Sequence, residues 1–193
     1  MKKVLLLAVM GLMGSKLYAQ DFKHGIGTGF IFSTPPGTVG SEGDVSLNYY
    51  PRVNFELNKS TSIAVGVPLA FGFGGSYSDG FGGTRKTFSF AINAPVMAEY
   101  NFGAGAVKNT SRRFGAFAGA GFGLHYGHYY YSDSYYEDLS VNSNKTSAGP
   151  AASLGVRFAV GRGKHNIEVR TSYMHTLGND GGNIVGTYCL FNF

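Results

Sequence analysis

One cysteine, Cys189, stands in a chain of 193 residues. A single thiol excludes an intramolecular disulfide and a Cys-rich metal site. Charge is also scarce. Asp, Glu, Lys and Arg make up 14% of the chain, whereas soluble proteins carry about 25% overall and wear a surface that is about 25–35% charged. This composition cannot build such a surface. Beyond the first residues no apolar run approaches the roughly 20 residues that a membrane-spanning helix needs. Glycine, by contrast, is abundant at 30 residues, well above its usual share of about 7%.

The N-terminus reads as a targeting segment. Lys2 and Lys3 open it, Val4 to Met13 are apolar but too short to span a bilayer, and Leu17-Tyr18-Ala19 offers a cleavage site. Residues 1–19 are therefore expected to be a signal peptide, and residues 20–193 the single mature domain. Its removal takes away Lys2, Lys3 and Lys16 and lowers the formal charge from +5 to +2. The basic balance thus gives no reason to expect a nucleic-acid partner. Cys189 lies far from the cleavage site, so no lipid anchor on an N-terminal cysteine is expected.

The rest of the chain alternates. From Asp44 to Leu57, Val45, Leu47, Val53 and Phe55 share one parity, and Asn48, Arg52, Asn54 and Glu56 the other. A period of two puts the sets on opposite faces of a strand. Eight such segments are expected, near His24–Phe32, Asp44–Leu57, Ser62–Gly74, Arg85–Phe102, Arg112–Tyr126, Thr146–Gly161, His165–Leu177 and Asn183–Phe193. They exceed the usual strand length of about 5–6 residues. Leu57–Thr61 and Gly161–Lys164 are tight turns, whereas Ser33–Gly43, Gly75–Thr84 and Tyr129–Lys145 read as long loops at the other rim. Pro51, Pro68, Pro95 and Pro150 fall inside segments, where bulges or strand limits are expected because proline removes a ladder hydrogen bond.

Alternation alone would also fit a soluble barrel with its apolar face inward. The other parity decides against that, being mostly Gly, Ala, Ser, Asn and Thr rather than Lys and Glu. Small residues suit the inside of an eight-stranded barrel, while the bulky, nearly uncharged face suits hydrocarbon. Closure then follows, because every backbone polar group at membrane depth needs a partner. The expectation is all-β: an up-and-down antiparallel transmembrane β-barrel of about eight strands. Tyr49, Tyr50, Tyr100, Phe102 and Tyr126 are expected near the membrane boundary as an aromatic girdle.

With its signal peptide, eight alternating segments and a final Tyr188-Cys189-Leu190-Phe191-Asn192-Phe193, the chain resembles the small bacterial outer-membrane barrels of the OmpA/OmpX-like type. The resemblance covers essentially the whole mature chain. It implies the outer membrane of a diderm bacterium, a monomer in contact with outer-membrane lipid, and Phe191 and Phe193 as the signal read by the assembly machinery.

Seven charges, Arg52, Glu56, Glu99, Arg113, Arg157, Glu168 and Arg170, lie on the inward parity near the short turns. They are expected to gather in one half of the lumen, either as a structural salt-bridge network that plugs it or as an ion-selective constriction. Tyr129, Tyr130, Tyr131, Tyr135 and Tyr136 crowd one long loop, either as a contact surface for an extracellular ligand or as a continuation of the girdle. His125 and His128 are three apart on a strand, which spoils a shared metal site. His175 sits in a setting similar to the lipid A deacylase pattern, but Leu177 stands where the serine nucleophile would be. No catalytic residue, metal or cofactor is expected. The function expected is a membrane-stabilising or surface-interaction barrel, with a narrow passive pore second and a lipid A-modifying enzyme third.

Overall fold

A computed structural model describes residues 20–34, 42–80, 83–108, 110–131, 141–161, 165–177 and 182–193. The expected signal peptide, residues 1–19, lies outside them. Nine strands follow in order: β1 Gln20–Thr34, β2 Glu42–Asn58, β3 Thr61–Gly66, β4 Leu69–Gly80, β5 Gly83–Gly103, β6 Phe114–Tyr131, β7 Val141–Val160, β8 His165–His175 and β9 Asn183–Asn192. Among the described residues all strand pairs are antiparallel, and β1 pairs with β9 as well as with β2, so the sheet closes. Both β3 and β4 pair with β2 on one side and β5 on the other. They share one place in the wall, and the ring has eight positions.

Closure removes every sheet edge, which is what lets long strands of alternating pattern persist without pairing to another chain. Along β9 exposed and buried residues alternate without a break. Leu47 and Leu154 are exposed at 61% and 63%, while Ser46, Asn54 and Ser62 on the opposite parity have no exposure at all. The core is therefore the lumen, and the outer face is apolar. Among the described residues no helix is long and apolar enough to cross a membrane.

Three expectations need correction. The strands run further than expected at the long-loop rim: β4 and β5 pair up to Gly80↔Gly83, and β6 and β7 up to Tyr131↔Val141. Residues 75–80, 83–84, 129–131 and 141–145 are thus strand rather than loop. Only one of the four prolines ends a strand. Pro68 separates β3 from β4, whereas Pro51, Pro95 and Pro150 remain within β2, β5 and β7.

The reason is that Pro51, Pro95 and Pro150 keep their register with one neighbouring strand, opposite His24, Gly123 and Phe122, and face a gap in the ladder on the other side. The β2–β3 register ends at Arg52↔Gly66 and β2–β4 resumes at Tyr49↔Leu69. On the other side β3–β5 ends at Gly66↔Met97 and β4–β5 resumes at Ala70↔Asn93. Pro51, Pro68 and Pro95 all meet at this one gap, where a missing N–H breaks nothing. Pro150 lies just past the last β7–β8 pair, Ala151↔Met174.

The third correction concerns the inner face, which is not only small and polar. Ile31, Tyr50, Met97, Met174, Ile184, Tyr188 and Leu190 point inward and form a buried cluster. Tyr50, expected in the girdle, has no exposure at all. Its parity with Asn48 and Arg52 puts its ring in the lumen.

A filled and charged lumen as the candidate functional site

Alternation aims the odd-numbered or even-numbered residues of each strand at the lumen, and five of the expected charges converge there. Arg52 comes from β2, Glu99 from β5, Arg157 from β7, and Glu168 and Arg170 from β8; their side chains are fully buried. Glu168 is the centre. Its Oε2 accepts from Arg157 Nε at 2.7 Å and from Arg52 Nη1 at 3.3 Å, and its Oε1 accepts from Arg170 Nε at 2.8 Å. Arg170 then reaches Glu99 with both terminal nitrogens, Nη2 donating to Oε2 at 3.1 Å and Nη1 to Oε1. Arg170 thereby bridges the two carboxylates in a fork, the geometry for which a guanidinium is suited.

Neutral groups complete the lattice. Ser153 Oγ donates to Glu99 Oε1 at 3.0 Å, Arg157 Nη1 donates to Asn101 Oδ1 at 2.7 Å, and Asn192 Nδ2 donates to Glu168 Oε2 at 3.2 Å. Two rings cover the guanidinium faces. Arg52 and Arg170 lie 4.8 and 4.4 Å from the Tyr50 centroid, and Arg157 and Arg170 lie 4.4 and 4.5 Å from that of Phe117. Cations over ring faces are attracted by the ring quadrupole, more so when desolvated. Sequence reasoning missed both rings. The available signal was parity, since Phe117 shares its face with Gly115 and Gly119.

The other two expected charges stand outside the lattice. Glu56, on the last rung of β2 before its register with β3 shifts, accepts the backbone N–H of Lys108 at 2.7 Å. Arg113 is exposed beyond the start of β6. Proximity to a short turn brought both into the expected set, yet the same proximity carries them past the lumen's end.

Below the lattice the β5–β6 connection folds into the barrel mouth. Ala104 and Ala106 are fully buried and Val107 is 5% exposed. Asn54 Nδ2 donates to the carbonyls of Gly105 and Ala106 at 3.3 and 3.1 Å, and Lys23 Nζ donates to Gly105 O at 3.1 Å. Gly105 has φ +75°, and a Cβ there would stand 2.8 Å from Asn166 Nδ2. The left-handed backbone favours glycine, and a Cβ would in addition displace the end of the Asn166 side chain. Above the lattice, free space beside Pro95, Met97, Met174 and Tyr188 amounts to about 10 Å³, close to the least that holds one water.

The remaining candidates are placed as follows. The backbone of Tyr129, Tyr130 and Tyr131 pairs with Ser143, Asn142 and Val141, while Tyr135 and Tyr136 lie outside the described residues. Phe191 and Phe193 face outward and stack on each other with centroids 6.3 Å apart. His175 also faces outward, and its Nδ1 meets the amide Oδ1 of Asn183 at 3.0 Å rather than a carboxylate. Among the described residues no three His, Cys, Asp or Glu side chains are placed to hold a metal ion.

No protein-family model matches the chain, and no curated protein matches it significantly. Solved structures do. Ail, the attachment invasion locus protein of Yersinia pestis, is similar with a TM-score of 0.55 at 11% identity, over 89% of this chain and 97% of that one. The same protein in complex with the heparin analogue sucrose octasulfate gives 0.52 at 12% identity, over 90% and 99%. At such identities the likeness is one of fold. With its closed ring of eight antiparallel positions and its filled lumen, the chain has the architecture of the small eight-stranded outer-membrane β-barrels.

Proposed function

We propose that the protein is a non-catalytic integral barrel of the bacterial outer membrane, exported by a cleaved signal peptide, which stabilises the membrane and presents its long hairpins as a contact surface. The observation that carries this reading is an exposed apolar outer face wrapped around a lumen of fully buried ion pairs. On β6 the exposed outward residues run from Phe114 through Phe122 and Leu124 to Tyr126. That stretch is about 40 Å of strand at about 3.3 Å per residue. At a tilt of about 40° it stands about 30 Å tall, which matches the hydrocarbon core of about 30 Å.

Past Tyr126 the β6–β7 hairpin continues for five more residues to Tyr131, or about 16 Å. This extension favours a surface role for the tyrosine-rich segment over a girdle role, since its backbone climbs beyond the apolar band. Phe191 and Phe193 are assigned to recognition by the assembly machinery, and outer-membrane lipid is the constant partner.

A passive pore is disfavoured by the ion-pair lattice and the apolar cluster, which fill two successive levels above a mouth that keeps a cavity of about 330 Å³ beside Lys23 and Gly105. Purified protein in planar bilayers is expected to give no steady single-channel openings. A reproducible unitary conductance would instead assign the lumen to ion passage.

A further inference from the structure

We infer that the lower lumen binds one small monovalent anion, of the size of a halide, on the Nε–Nη2 edge of Arg52. The lattice holds three guanidinium groups, Arg52, Arg157 and Arg170, against two carboxylates, Glu99 and Glu168. The other charges of this half leave that surplus in place. Lys23 pairs with Asp21 at 3.3 Å, and Glu56, which keeps its charge while accepting the neutral N–H of Lys108, lies four residues from Arg52 along β2, about 13 Å along the strand. Asp44, inward on the same strand, is eight residues further up, roughly 26 Å along the strand.

The surplus has an address. Both carboxylates are saturated by Arg157, Arg170 and one nitrogen of Arg52, whose Nη1 serves Glu168 and Asn192. Nε and Nη2 of Arg52 are buried and have no hydrogen-bond partner. The Tyr50 ring covers the face of this guanidinium, not its edge.

A water molecule would satisfy the two N–H groups but leave the charge. Isolating an ion from water is far more unfavourable than isolating a dipole, and an unmatched charge inside a low-dielectric wall is the most unfavourable case. An anion satisfies both at once. A monovalent ion neutralises the surplus of one, whereas a divalent one would reverse it.

Crystals of the whole protein soaked in sodium bromide and measured at the bromine absorption edge test this directly. One anomalous peak in the lumen, within hydrogen-bond reach of Arg52 Nε and Nη2, is expected. Bromide confined to the outer surface would overturn the inference. In detergent solution the wild-type barrel should unfold several degrees higher in sodium chloride than in sodium gluconate of equal ionic strength. Equal midpoints would likewise overturn it. The Arg52→Gln variant should lose the chloride dependence, and retention of it places the anion elsewhere. If that variant does not fold, the two wild-type measurements still decide.

Discussion

Glu168→Gln is expected to lower the stability of the folded barrel by about 3–5 kcal/mol, the range seen when one partner of a buried ion pair is removed. Glu168 is the most demanding position because three guanidinium groups donate to it. The amide keeps the shape but deletes the charge, so Arg52, Arg157 and Arg170 are left facing one another with only Glu99 between them. Each guanidinium is fully buried and cannot turn to water. The double variant Glu99→Leu with Arg170→Met is expected to lose less than either single change, since it removes a charge and its counter-charge together. Urea unfolding in lipid vesicles, followed by the migration shift between folded and heated barrel, measures both. A Glu168→Gln loss below about 1 kcal/mol, the range of exposed pairs, would contradict the buried lattice.

Leu154→Arg is expected to destabilise the membrane-inserted barrel by about 2–4 kcal/mol, the penalty of a lipid-facing arginine near the bilayer midplane. Leu154 is exposed on β7 and pairs across to Ala118, two residues from the midpoint of the apolar band that runs from Phe114 to Tyr126. In a water-soluble barrel the same exposed position would tolerate arginine to within about 0.5 kcal/mol. The effect should also depend on depth. Leu57, equally outward but beside the short β2–β3 turn, is expected to accept arginine at a cost of about 0–1 kcal/mol. Equal penalties at the two sites, or none at either, would remove lipid from the outer face.

Much of this architecture was legible because a period of two is a strong signal when one face is uniformly bulky. Val45, Leu47, Asn48, Arg52 and Asn54 all lie on the faces that their parity assigns. The failures share a cause, which is that residue type was read ahead of position. Tyr50 resembles a girdle aromatic by type although Asn48 and Arg52 put it inside, and Phe117 is hidden among glycines. Their rings face inward because guanidinium faces need covering, and that need exists only once the arginines from β2, β7 and β8 have converged.

The inward mouth segment was illegible for a related reason. A turn is normally polar, and Gly103-Ala104-Gly105-Ala106-Val107 carries no charge, which marks burial. Its acceptors for Asn54 and Lys23 are backbone carbonyls, and side-chain patterns do not reveal those. The prolines misled in the opposite direction. Each removes one N–H, yet three of them share a single gap between strands, a register effect that one-dimensional reading cannot anticipate.

The outer face can be examined without a substitution, because the lone Cys189 is exposed on β9, four residues above Phe193, or about 13 Å along the strand. A nitroxide attached to this thiol in the folded protein, reconstituted into phospholipid vesicles, reports its surroundings by collision with two relaxers. Oxygen, which concentrates in hydrocarbon, should broaden the signal strongly, and a water-soluble nickel chelate should barely affect it. Strong relaxation by the nickel chelate with little by oxygen would place this face in water and contradict a membrane-spanning barrel.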